Sequence, residues 1–145
     1  MVRSLNLNSM RFESSKDLDR EDRAINTFVS SFKGSYNKLD KNDIDFEVLH
    51  NHKVISYVEV KGRLRTLDKA FPLPIAVRKL VKLSDKRINP VVIWACEDGI
   101  IYSKVKDLDG VIRYSGRKPR KGSANDLELM AYYNNNNNFK IIKYE

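Results

Sequence analysis

The chain has 145 residues, 41% of them apolar, and a net charge of +8. That length supports one core of ordinary domain size, and no apolar run is long enough to cross a bilayer as a helix. A lone cysteine, Cys96, excludes an intrachain disulfide framework, and the polar, mixed-charge first twenty residues contain no signal-peptide core, so a cytoplasmic protein is expected.

The excess positive charge predicts a polyanionic partner, nucleic acid before an acidic membrane. It is unevenly spread. Residues 61–87 hold nine Lys or Arg against two Asp, and a second cluster is formed by Arg113, Arg117, Lys118, Arg120 and Lys121.

Residues 1–15 show no period and are expected to be loosely held. From about Leu18 to Phe32 the apolar residues Ile25, Phe28, Val29 and Phe32 recur at i, i+3, i+4 and i+7, one stripe of an amphipathic helix. Asp17 or Asp19 can cap it, and Gly34 follows its last apolar position. Ser35 to Leu39 reads as a short strand, and Asp45 to Leu49 alternates as a second. Val54 to Lys61 is a stronger third, with His50-Asn51-His52-Lys53 as the hairpin turn between the last two. After Pro72 and Pro74 a basic helix is expected, with Ile75, Val77, Leu80, Val81 and Leu83 as its apolar positions. Val91 to Cys96 is a continuous apolar run, the mark of a strand covered on both faces. A turn at Glu97-Asp98-Gly99 leads to a strand over Ile100 to Val105. Residues 113–125 read as a basic loop, Asp126 to Tyr133 as a short helix, and 134–138 as an all-asparagine loop. Phe139 to Tyr144 reads as an edge strand. Helix, three strands, helix and further strands predict an α/β domain with a mixed sheet flanked by helices. The expected organisation is a single domain over 1–145, its core at about 18–105 and a basic loop and C-terminal extension at 106–145.

The chemistry is carried by the third strand. Alternate side chains share a face, so Ile55, Tyr57, Glu59 and Lys61 stand together, opposite Val54, Ser56, Val58 and Val60. If Phe46 and Val48 face the same core as that apolar side, Asp45 and Glu47 share the side of Glu59 and Lys61. This requires Asp45 to lie opposite Glu59, with paired residue numbers adding to 104. A plain two-residue Asn51-His52 turn gives 103 and throws Asp45 to the other face. The hairpin therefore needs an odd loop or a bulge. Two acids and a lysine at the end of one hairpin suit phosphodiester hydrolysis. Carboxylate oxygens hold Mg²⁺, or Mn²⁺ in its place, and the ion takes its remaining ligands from water and phosphate. It polarises the phosphoryl oxygen and acidifies a water. Asp45 and Glu59 are the expected metal ligands, with the carbonyl of Val60 as a third, and Lys61 is the expected catalytic cation.

Asp45 followed by Glu59-Val60-Lys61 resembles the signature of the PD-(D/E)XK nuclease superfamily, in which an Asp begins the second core strand and an E-x-K lies on the third. The resemblance implies a restriction-endonuclease-like αβββαβ core, here over about 18–96, and a Mg²⁺-dependent endonuclease acting on DNA. It also implies one more acid from the first helix: Glu21, with Asp22 as the nearest competitor. Asp43 competes with Asp45. The proline that precedes the Asp in the family is replaced by Ile44. On this reading Arg63, Arg65, the basic helix with Arg78 and Lys82, and Arg117, Lys118, Arg120 and Lys121 contact phosphates, which gives affinity without sequence information. A homodimer is the simplest way for one site per chain to cut two strands. A basic nucleic-acid-binding protein without catalysis is the other class that this charge pattern fits.

His50 and His52 fall in a turn with no third ligand nearby in sequence, so an H-x-H metal site is not expected. Trp94 and Cys96 read as core residues, and Glu97 and Asp98 as a solvated corner. No phosphate-cradling G-x-x-x-x-G-K-[ST] and no G-x-S-x-G is present, which removes support for an NTPase or a serine hydrolase.

Overall fold

A computed structural model of the chain describes residues 15–40, 43–86, 88–115 and 128–145. The first element is helix α1 (Ser15–Ser30). Ala24, Ile25, Phe28 and Val29 are buried along one stripe, as the spacing requires. The helix stops two residues short of Phe32. Gly34 N–H bonds to the Val29 carbonyl at 2.8 Å after Lys33 turns to φ 60°. A side chain at Gly34 would lie 2.9 Å from the Leu49 carbonyl, so only glycine fits there.

Strands β1 (Ser35–Lys38), β2 (Phe46–His50) and β3 (Lys53–Gly62) follow as an antiparallel meander. The β2–β3 turn has two residues, Asn51 and His52, both at positive φ, the backbone a tight hairpin requires. His50 pairs with Lys53 and Leu49 with Val54, a sum of 103; from Val48 opposite Ser56 onward the sum is 104. The extra residue is Ile55, a bulge that changes which residues of β2 and β3 stand opposite each other.

Strand β4 (Leu73–Ala76) and helix α2 (Val77–Ser84) then carry the chain to β5 (Val91–Ala95), which lies parallel to β3. Strand β6 (Gly99–Lys104) returns antiparallel to β5. Strands β7 (Val111–Ser115) and β8 (Glu128–Tyr133) pair with each other, and β9 (Lys140–Lys143) pairs with β6. The result is a mixed six-stranded sheet, β9-β6-β5-β3-β2-β1, and a three-stranded sheet, β4-β8-β7.

The large sheet separates two cores. Facing α1 are Phe46, Val48, Val58, Val91, Ile93, Ala95 and Ile100. The other face packs Val92, Trp94 and Ile101 against Leu73, Ile75, Leu83, Ala131 and Tyr133 from β4, α2 and β8. All five residues of β5 are buried, because its side chains alternate between the two cores. Trp94 is wholly enclosed and its indole N–H donates to the Pro74 carbonyl at 2.7 Å. The C-terminal segment is therefore structural: β8 helps to build one core and β9 completes the edge of the large sheet.

Four sequence expectations are corrected. Ile75 lies in β4 rather than in the basic helix, which starts at Val77. Pro74 is compatible with β4 because that strand is an edge paired on one side only. Val81 is 59% exposed and is not part of the apolar face of α2. Residues 128–133, expected as a helix, form β8, since pairing with both β4 and β7 outweighs the helix propensity of Leu129, Met130 and Ala131. Arg113 to Ser115, expected in a loop, belong to β7; the rest of that loop lies outside the described residues. Among the described residues no helix is long and apolar enough to cross a membrane.

Candidate active site

Asp45 is the last residue before β2. Continuing the register from Phe46 opposite Val58 sets it opposite Glu59. Because β2 begins at Phe46, the N–H of Val60 lies beyond the ladder. The Asp45 carboxylate accepts it instead, Val60 N–H to Oδ2 at 2.8 Å. The Asp45 carbonyl accepts the Leu39 N–H at 2.9 Å. Asp45 is thus held through its side chain by β3 and through its main chain by the residue that follows β1. In a strand the N–H and C=O of one residue point to the same edge, so the Val60 carbonyl is directed toward the side on which Asp45 lies.

Glu59 is 4% exposed. Its Oε2 meets Lys79 Nζ from α2 at 3.2 Å. Its Oε1 is buried with no hydrogen-bond partner. Such an orphan costs free energy unless a cation or proton occupies the space beside it. Burial, and then the neighbouring Glu59 carboxylate, pushes the Asp45 carboxyl up to about 7. Burial also raises Glu59, against the pull of Lys79 and of the adjacent Asp45 carboxyl. A buried carboxylate and a half-buried one that resist sharing negative charge make a place where a positive ion is favoured.

Glu21, on the buried stripe of α1, reaches the same place. It is held by Lys38 of β1 at 2.6 Å and raises Glu59 through space. Glu21, Lys38, Asp45, Glu59, Lys61 and Lys79 all line one cavity of about 770 Å³. Lys61 follows Glu59 by two residues, on the same face of β3, and is exposed. The geometry therefore brings together the acids and the lysine singled out by the sequence.

The competitors go elsewhere. Asp22 faces solvent. Asp43 accepts the Ile44 N–H at 2.7 Å and pairs with Lys86 at 3.1 Å, and these hold its carboxyl below the usual range. Asp98 accepts the Leu67 N–H at 2.8 Å and ties down the 63–72 loop. His50 and His52 are exposed at the turn. Cys96 is buried and burial pushes its thiol up to about 11, so it is unreactive.

Of the phosphate-contact candidates, Arg65, Arg78 and Lys82 are exposed, and Arg78 pairs with Glu128 at 2.8 Å. Arg63 has a different task. Its guanidinium donates to the carbonyls of Ala70 and Pro72, bracing the loop before β4. Arg117, Lys118, Arg120 and Lys121 lie outside the described residues.

Sequence reasoning missed Lys79 and Lys38. Lys79 was one basic residue among nine, and its contact with Glu59 depends on where α2 starts, which the unrecognised β4 shifts. Lys38 was open to detection. Extending the β1–β2 register, Lys38 opposite Phe46, sets it one residue from Asp45.

Among the described residues no group of three or more His, Cys, Asp or Glu side chains is close enough to hold a metal by itself. Two carboxylates with an orphaned buried oxygen still fit Mg²⁺, which usually keeps several waters and takes one or two protein carboxylates plus substrate phosphates. A family model described as "Phage putative PDDEXK endonuclease" matches residues 8–141. No curated protein and no solved structure matches the chain.

Proposed function

The chain belongs to the phage PD-(D/E)XK endonuclease family, a nuclease family, and from that premise we propose that it is a Mg²⁺-dependent endonuclease that hydrolyses phosphodiester bonds in DNA. One observation carries the reading: Asp45 and Glu59 stand side by side at one end of the β2–β3 hairpin, with an orphaned oxygen on Glu59 and Lys61 on the same face. The element order α1, β1 to β3, β4, α2, β5 is compatible with a core of the superfamily's kind and supports the reading, with β4 as an addition before α2.

Asp45, Glu59 and the Val60 carbonyl would hold the ion. Bound there, it would polarise a phosphoryl oxygen and acidify a water for attack on phosphorus. Lys61 faces the cavity and stabilises negative charge on the phosphoryl oxygens as the new bond forms. Asp45 keeps its orientation through Val60 N–H, which leaves Oδ1 for the ion. Glu21, held by Lys38, adds negative charge at the α1 side of the cavity. Exposed Arg65, Arg78 and Lys82 fit a phosphate-contact surface, the positive charge of Arg117, Lys118, Arg120 and Lys121 in the sequence suits the same role, and Arg63 supports the loop that carries Arg65. Mn²⁺ would replace Mg²⁺, and two chains acting as a homodimer would cut a duplex. A non-catalytic DNA-binding protein is separated from this reading by its indifference to metal. The test is incubation with plasmid, branched and single-stranded DNA in Mg²⁺ and then in EDTA. Cleavage that requires Mg²⁺ and disappears in Asp45→Asn supports the proposal. Binding without cleavage under every condition refutes it.

A further inference from the structure

Among the described residues, the ion pair between Lys79 and Glu59 joins the most deeply buried acid to a partly exposed lysine. Glu59 is the more deeply buried acid of the site, and its partner arrives from α2, a separate element that joins β3 to β5. Lys79 Nζ sits 3.2 Å from Oε2, while Oε1 points into buried space without a partner. One lysine therefore satisfies half of the carboxylate. Lys79 is also the leading electrostatic influence opposing the effect of burial on Glu59, and it acts on Asp45 as well. Its side chain is 37% exposed and lines the cavity, so it has room to leave Glu59 without unfolding α2.

We propose that Lys79 is the resident counter-ion of the metal site, holding Glu59 while no divalent ion is bound and giving it up when one binds. This rests on the reading of Asp45 and Glu59 as metal ligands. A divalent ion that takes both carboxylates brings two positive charges to within a few ångströms of the ammonium. Like charges at that distance repel, so the lysine, partly exposed on its own side, moves into the cavity. The metal must therefore displace a cation before it binds, which lowers apparent affinity and raises the metal concentration needed for cleavage. Lys79 is a positioning residue in this sense: it sets the threshold through Glu59.

The test is calorimetric titration with Mg²⁺, without DNA, at pH 8.5, on wild type, Lys79→Met, Lys79→Arg and Glu59→Gln. Lys79→Met is expected to bind Mg²⁺ about two- to fivefold more tightly, the scale of one partly exposed ion pair, and to reach half-maximal cleavage at correspondingly lower Mg²⁺. Lys79→Arg keeps the charge and stays near wild type. Unchanged or weaker Mg²⁺ binding in Lys79→Met overturns the proposal. So does tightening in Lys79→Arg equal to that in Lys79→Met, which would mean that removal of the ammonium rather than of the charge matters. The premise fails separately: if wild type binds no Mg²⁺, or Glu59→Gln binds it as well as wild type, Glu59 is not a ligand.

Discussion

Replacing Asp45 by Asn should stabilise the metal-free protein while destroying its activity. A carboxyl that ordinarily titrates near 3.8 and is pushed up to about 7 favours its neutral form in the fold by on the order of 4 kcal/mol. Asp45 is only partly enclosed, and solvent relaxation reduces the expected effect to about 2 kcal/mol. The sign follows from linkage. The folded chain binds this proton more tightly than the unfolded chain does, so the stability it contributes is present below about pH 4 and is lost as pH rises toward 7. Asparagine retains an oxygen for the Val60 N–H and carries no charge at any pH. Groups out of contact with Asp45, such as Asp43 with its lowered carboxyl, shift stability in the opposite sense, but they are common to both proteins and cancel; Glu59, relieved of its charged neighbour in the variant, adds to the effect in the same direction. Urea unfolding of wild type and Asp45→Asn in a chelating buffer, from pH 4 to pH 8, isolates the effect. The gap should move in favour of the variant by about 2 kcal/mol across that window. A pH-independent gap, or one that moves in favour of wild type, would mean that Asp45 is not held in a charge-averse site, and the electrostatic argument for a cation there would fail with it.

Saturating Mg²⁺ should raise the melting temperature of wild type and leave Asp45→Asn nearly unchanged, because only a folded chain with both carboxylates offers the site; a thermal shift assay reads this. Glu59→Gln should lose Mg²⁺ binding and cleavage together, measured by calorimetry and a nicking assay on the same preparation. Lys61→Met should keep Mg²⁺ binding and slow cleavage by about two to three orders of magnitude, since a protonated lysine is not a ligand and its methylene stem is replaced; cleavage at the wild-type rate would remove Lys61 from the mechanism. Neutralising Arg117, Lys118, Arg120 and Lys121 together should weaken DNA binding across sequences and flatten its salt dependence between about 50 and 200 mM, while affinity that ignores salt in wild type would contradict a phosphate-contact surface.

The parts of the fold that could be read in advance are those where one periodicity dominates. Helix α1 shows its stripe because one face alone meets the sheet. Strand β5 shows an unbroken apolar run because both faces are covered. Strand β4 was hidden by Pro72 and Pro74, which usually exclude a strand and are tolerated here only at an edge. Strand β8 was hidden by residues with good helix propensity that are recruited into a sheet by partners distant in sequence. The same limit applies to Lys79: a contact between α2 and β3 depends on where the helix begins, and no local pattern records that.

The site itself turns on one residue. Asp45 and Glu59 are fourteen positions apart, and whether they share a face is decided by the hairpin between them. The two-residue Asn51-His52 turn, taken alone, points the two carboxylates to opposite sides of the sheet, with Asp45 driven into the core under α1. Ile55 corrects this. By standing unpaired between Val54 and Ser56 it shifts the pairing by one and returns every residue before Leu49 to the other face. Phe46 and Val48 then enter the core as a pair with Val58, which fixes the shifted register by burial. The acid pair is thus carried by the hydrophobic pattern of its own hairpin: moving Asp45 away from Glu59 would require exposing Phe46 and Val48 together. Burial of two large apolar side chains, on the order of 4 kcal/mol, exceeds the cost of ionising Asp45 beside Glu59, so the fold can hold two carboxylates together that would otherwise separate.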